Sequence, residues 1–158
     1  MDGKIELTPC TNEHWHEFWV GYVADPMMSD VSYVYDYEGM EKAYHVRMAD
    51  ATRKYFTIIC DGKVIGQIYL KKIDYDKKSA DFGISMVDDL VKGKGYGTRA
   101  IELLLEYAFG GMGLDVITAD TVLRNVCSQH VLEKIGFVFT HMDGEFRYYK
   151  IAKRDDGL

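Results

Sequence analysis

A mixed α+β fold is predicted by three features of this 158-residue chain. Two hairpin signals, Asp61-Gly62 and Asp143-Gly144, each sit between strand-like runs. Between them, a strand-like run at 80–86 passes through a basic, glycine-rich stretch into an amphipathic helix. Apolar residues at helical spacing also recur near the start of the chain and again at 128–135.

Taken in order, Ile5-Glu6-Leu7-Thr8 reads as a first strand. Thr11 or Asn12 caps a helix through His14, Trp15, Phe18, Trp19, Tyr22 and Val23, which Pro26 ends. Residues 27–37 form a loop or broken helix. A second helix follows over 39–53, with Met40, Tyr44, Met48 and Ala51 on one face. Strands at 55–60 and 63–70 flank the first hairpin turn, and 74–78 is the next turn. The helix after the glycine stretch puts Ile101, Leu104, Leu105 and Ala108 on one buried stripe, and the glycines at 110–113 stop it. Residues 116–119 make a short strand parallel to the one before that helix. The 128–135 helix turns Val131, Leu132 and Ile135 inward and is capped by Gly136. Strands at 137–139 and 146–149 close the fold, and 153–158 is a polar tail. There are no repeats and no linker, so residues 1–158 read as one domain.

The apolar fraction of 47% and aromatic fraction of 13% belong to a globular chain rather than a disordered one. The start lacks an apolar signal-peptide core, and no stretch of about 18 apolar residues predicts a membrane span. Cys10, Cys60 and Cys127 are an odd, scattered set and read as reduced thiols in a cytoplasmic protein. A net charge of −6 argues against a nucleic-acid partner and is compatible with a cationic or amine-bearing acceptor.

The stretch Lys92-Gly93-Lys94-Gly95-Tyr96-Gly97-Thr98 carries the most chemistry. A helix's first turn has unpaired N–H groups and the positive end of the macrodipole. Glycines let those N–H groups approach a phosphate closely, and the lysines add charge. A P-loop is excluded because no Lys-Ser or Lys-Thr follows the glycines. A dinucleotide fingerprint needs its third glycine at Thr98, whereas it falls at Gly97. Asp115 and Asp120 lie near the distance at which that motif carries its acid, so spacing weakens this reading and leaves it open.

Residues 92–97 resemble the acetyl-CoA signature of the GNAT acetyltransferases, (Gln/Arg)-x-x-Gly-x-(Gly/Ala), with Lys92 where Gln or Arg is usual. A second block, Asn125-Val126-Cys127-Ser128 through Lys134-Ile135-Gly136-Phe137, is similar to the family's later motif. Its wording is most similar to the branch that acetylates N-terminal amines of ribosomal proteins. The resemblance covers residues 56–149. It implies a single, mostly antiparallel twisted sheet of about 6–7 strands flanked by about four helices, and acetyl transfer to a primary amine by direct attack in a ternary complex. It implies acetyl-CoA as co-substrate, with no metal, held by Lys92, Gly93, Lys94, Gly95, Tyr96, Gly97 and Thr98. The backbone of Met86, Val87 and Asp88 would align the pantetheine arm, and Asn125, Ser128 and Lys134 would complete the site.

The amine must lose a proton before attack. Asp81, in Ala80-Asp81-Phe82-Gly83 where similar enzymes show Ala-Glu-Ile-Gly, is the candidate base, and a water chain is its rival. Many GNAT enzymes protonate the leaving thiolate with a Tyr four residues after the Ser position. That position is Leu132, so Ser128 is the candidate donor, against the alternative of a helix-terminal serine bonded to backbone. Cys127 and His130 read as a small thiol and a surface imidazole rather than a metal or nucleophile pair. Between Asp25 and Glu41 lie five acids and no Lys or Arg, interleaved with Tyr33, Tyr35 and Tyr37. In relatives this region walls the acceptor pocket, so Tyr33, Tyr35, Asp36 and Glu38 are expected to bind the amine, with a solvated acidic loop as the alternative. Protein N-termini, polyamines, aminoglycosides and amino acids all fit as acceptors. A CoA-binding sensor without catalysis is the competing class. The closing hairpin offers an edge on which two chains pair as a homodimer.

Overall fold

The computed structural model describes residues 3–24, 33–88 and 93–154. Strand β1 (Ile5–Pro9) runs antiparallel to β2 (Lys54–Cys60). Asp61 and Gly62 then take φ of 50° and 82°, the left-handed pair that an Asp-Gly hairpin turn requires, and lead into β3 (Lys63–Asp74). β3 continues past Leu70 through an irregularity between Lys71 and Asp74, with Lys72 at φ 52°, before pairing antiparallel with β4 (Ser79–Met86).

Helix α3 (Tyr96–Glu106) follows, extended by a single π turn at Tyr107–Gly111. Strand β5 (Val116–Val122), helix α4 (Val126–Ile135), and strands β6 (Val138–Asp143) and β7 (Phe146–Ala152) complete the order. The seven strands form one sheet, β1-β2-β3-β4-β5-β7-β6, in which β4–β5 is the parallel pair. The parallel strand after the glycine helix, the mostly antiparallel sheet and the four helices agree with the sequence reading.

One face of the sheet packs on α3 and α4. Ala100, Ile101, Leu104, Leu105 and Ala108 from the helical side bury against Ile58, Ile68, Leu70 and Ile117 of the sheet. The other face carries α1 (Asn12–Gly21) and α2 (Tyr37–Met48). Trp15 and Phe18 of α1 are fully buried, against Tyr55 and Val64 respectively. The Trp15 indole N–H donates to the Met40 carbonyl at 2.9 Å and fastens α2 to α1. Thr11 caps α1 by accepting from the His14 N–H, as the sequence suggested.

Element ends differ from expectation: α1 stops at Gly21, before Val23, β3 runs on to Asp74, α4 starts at Val126, and β6 and β7 extend to Asp143 and Ala152. α2 ends at Met48 rather than 53, because the Asp50 carboxylate accepts from both the N–H and the hydroxyl of Thr52 and bends the chain into a turn. β5 reaches Val122 rather than 119, because β7 pairs along its whole length. Pro26 and most of the predicted 27–37 loop lie outside the described residues, as do Lys92 and the end of the polar tail.

Candidate active site

The parallel pairing of β4 and β5 is short. Ser79, Ala80 and Asp81 pair with Val116, Ile117 and Thr118, and no pair follows. Beyond that point β4 stays with β3 as far as Met86, and β5 stays with β7 as far as Val122. The strands part, and a cleft of about 530 Å³ opens between them. On its β5 side, the backbone of β4 from Phe82 onward has no strand partner, so its polar groups face the cleft.

Side chains alternate between the faces of a strand. Phe82, Ala119 and Thr121 therefore line the cleft on the α3–α4 side, where Ile101, Val131 and Leu132 join them. Tyr69, Lys71, Asp120 and Phe146 line it on the α1–α2 side, with Tyr22 from just beyond α1.

Gly93, Gly95, Gly97 and Thr98 form one wall. Gly93 and Gly95 take φ of 74° and 82°, a conformation in which L side chains are strained. Gly95 is the N-cap of α3, and that helix has no side-chain cap. Thr11, Asp36 and Asn125 each cap their helices with a side-chain oxygen. The first turn of α3 thus meets the cleft with backbone donors rather than a capping side chain. Tyr96 is turned into the core and Lys94 is exposed outside the cleft lining.

Asn125 is buried at the N-terminus of α4, and its side-chain oxygen accepts from the Ser128 N–H at 3.1 Å. Ser128, Cys127 and Leu132 line the cleft on the following turns. The Ser128 hydroxyl makes no hydrogen bond with another described residue, so its backbone rather than its side chain serves the helix cap. Thr121 is also buried in this wall, and its hydroxyl has no hydrogen-bond partner among the described residues. No cluster of metal-ligating side chains occurs among the described residues.

Several residues singled out in the sequence stand elsewhere. Asp81 belongs to the closed part of the β4–β5 ladder. Its carboxylate lies 3.8 Å from the Lys72 ammonium, and it does not line the cleft. Val87 is buried, its N–H donating to the Ile65 carbonyl and its own carbonyl accepting from Val23. It joins the segment after α1 to the sheet, and its one backbone donor is engaged there. Asp88 does not line the cleft, whereas Met86 does. Lys134 is exposed in the last turn of α4, about 13 Å along the helix from Asn125.

Three of the four predicted acceptor residues make internal hydrogen bonds. The Tyr33 hydroxyl donates to the Trp19 carbonyl at 2.8 Å, Tyr35 bonds His16 at 2.8 Å, and Asp36 caps α2 through the Gly39 N–H. Glu38 is exposed, and none of the four lines the cleft.

Tyr22, Tyr69, Lys71, Asp120, Thr121 and Phe146 are the cleft residues that sequence reasoning missed. Tyr69 lies over Gly83, where any Cβ would collide with its ring. It stacks on Tyr55 with centroids 4.7 Å apart. Burial holds its phenol above the ordinary range. The Tyr55 phenol and the Asp120 carboxylate push the same way, against Arg47 and Arg53. The Gly83 in the sequence was the available signal, since a glycine within a strand marks a close approach.

Residues 4–138 match the family profile described as an acetyltransferase (GNAT) domain. The spermidine N(1)-acetyltransferase of Escherichia coli K12 is 29% identical over 94 residues, 60% of this chain and 50% of that protein. The Bacillus subtilis protein YjcK, named as an N-acetyltransferase, is 33% identical over 115 residues, 70% of this chain and 62% of its own length. The chain thus spans about half to two-thirds of the curated relatives it matches. Among solved structures, a dodecameric spermidine N-acetyltransferase from Vibrio cholerae superposes with a TM-score of 0.75 at 21% identity, covering 94% of this chain and 93% of that one. The Campylobacter jejuni N-acetyltransferase PseH gives 0.76 at 20% identity, covering 95% and 99%. At such identities the likeness establishes the fold. The profile match over most of the chain, on a sheet that parts above a glycine-led helix, establishes the family: this chain belongs to the GNAT acetyltransferases.

Proposed function

We propose that this protein is an acetyl-CoA-dependent N-acetyltransferase that acts on a primary amine. The observation that carries the reading is the cleft between β4 and β5, with a glycine-led helix terminus on one wall and an exposed carboxylate on the other. The residues fit the donor. Thr121 offers a buried hydroxyl without a partner among the described residues, and Gly93 and Gly95 leave open space where a Cβ would stand.

When bound, acetyl-CoA supplies a thioester-activated acetyl group. Gly95, Gly97 and Thr98 bind its pyrophosphate through the first turn of α3. The β4 backbone beyond Asp81 aligns the pantetheine arm in place of a neighbouring strand. Asp120 replaces Asp81 as the proton acceptor, because it is the carboxylate that lines the cleft. An amine of pKa about 10, or about 8 at a chain terminus, is mostly protonated near neutrality, and Asp120 both draws the ammonium and takes its proton, directly or through water. Ser128 Oγ–H is the hydrogen-bond donor for the departing sulfur, a modest task because a thiolate is a tolerable leaving group.

Relatives named for spermidine and for ribosomal substrates make polyamines and protein N-termini candidate acceptors. Unpaired cysteines suit a cytoplasmic protein, and no helix among the described residues is long and apolar enough to cross a membrane. Every residue of the edge strand β6 is exposed, which suits pairing with a second copy.

Free-thiol release from acetyl-CoA, measured with and without added amines, tests this reading. Amine-stimulated release is expected. Asp120→Asn should lower kcat/KM by about 100-fold while sparing acetyl-CoA affinity, and Asp81→Asn should do neither. Acetyl-CoA binding without any amine-stimulated release would instead favour the CoA-binding sensor, the reading that Leu132 at the usual Tyr position keeps open.

A further inference from the structure

Lys71 and Asp120 are the charged side chains lining the cleft among the described residues. Strand alternation puts both on the α1–α2 face, away from the glycine loop and Thr121. Neither is in an ion pair with another described residue. Asp81, directly opposite Lys71 in the ladder, is engaged by Lys72 at 3.8 Å. Lys71 on β3 and Asp120 on β5 stand two strands apart, at least about 10 Å between Cα atoms. Tyr22, Tyr69 and Phe146 supply the apolar wall beside them.

An unpaired cation and an unpaired anion in one pocket select against two kinds of acceptor. A polycation meets repulsion at Lys71, and a simple amine leaves Lys71 without a counter-charge. A molecule carrying both charges satisfies both side chains. The cleft, about 530 Å³ and shared with the donor's arm, has room for a small acceptor beside Lys71 and Asp120. We infer that the acceptor is a small zwitterionic amine of the amino-acid class, its ammonium at Asp120 and its carboxylate at Lys71. The inference rests on the acetyltransferase reading above and departs from the spermidine for which several relatives are named.

The test compares L-amino acids, the matching amino-acid amides and spermidine. Each is assayed by thiol release and titrated calorimetrically into the protein saturated with CoA. The free acid should surpass its amide by about 10- to 100-fold in both kcat/KM and affinity, the size of one charge-assisted pair. Lys71→Ala should bring that ratio close to one, and Lys71→Glu should reverse it in favour of the amide and spermidine. Lys72→Ala removes the neighbouring charge outside the cleft and should keep the ratio. Amides or spermidine equalling the amino acids in the wild-type protein would overturn the inference while leaving the acetyltransferase reading intact. Acetyl-CoA bound with no amine acetylated would overturn that reading itself, and this inference with it.

Discussion

Cys127 differs from the other two cysteines in its surroundings. Cys10 and Cys60 are buried, and burial pushes the Cys10 thiol up to about 11 against a hydrogen bond with Thr57 that pulls it down. Cys127 is exposed and lines the cleft beside Ser128. Iodoacetamide is therefore expected to label Cys127 first, and saturating acetyl-CoA should slow that labelling by about 10-fold or more. Peptide mass spectrometry reads both effects. Labelling that ignores acetyl-CoA would mean the donor does not pass Cys127. At this scale the sequence was legible where a cleft residue is placed by its own neighbours. Gly93, Gly95, Asn125 and Ser128 lie within motifs whose spacing is set by one helix terminus each. Asp81 and Asp120 were not distinguishable, because which carboxylate meets the cleft depends on where two strands distant in sequence stop pairing.

Among the elements, α1 and α2 are joined by the Glu41 carboxylate. It accepts from Asn12 at 2.6 Å and meets His16 at 2.8 Å, with His45 at 3.3 Å. Asn12, then His16, hold its carboxyl down from the ordinary 4.5 to about 2. A folded-state pKa below the unfolded value means the stabilisation is present above pH 4.5 and is lost as pH falls toward about 2. The difference in Tm between wild type and Glu41→Gln should accordingly be largest above pH 4.5 and shrink below it. A difference independent of pH would contradict this account. The hairpin turns and the start of α1 were legible because Asp61-Gly62, Asp143-Gly144 and Thr11 determine their own neighbourhoods, whereas α2 and α4 each start two residues before the expected position, behind the Asp36 and Asn125 caps. The end of α2 was not, since apolar spacing continues to Ala51 while the Asp50–Thr52 turn overrides it.

At the scale of the whole molecule, one sheet opens in its middle between β4 and β5. The helix that follows β4 carries the crossover to β5, its apolar stripe forms the core of one face, and its glycine-led terminus forms a wall of the cleft. Local pattern predicted this strand–helix–strand unit. It did not predict the three-pair limit of the ladder, because that limit reflects β4 and β5 keeping different outer neighbours. The most direct test of the cleft as donor site is calorimetric titration of acetyl-CoA into wild-type protein and into Gly95→Glu, with NAD and ATP as comparison ligands. The account predicts one acetyl-CoA site per chain in the wild type and far weaker binding of NAD and ATP. It predicts loss of acetyl-CoA binding in Gly95→Glu, where a carboxylate on a strained backbone meets the pyrophosphate. Absence of acetyl-CoA binding to the wild-type protein, or binding that Gly95→Glu leaves unchanged, would contradict it.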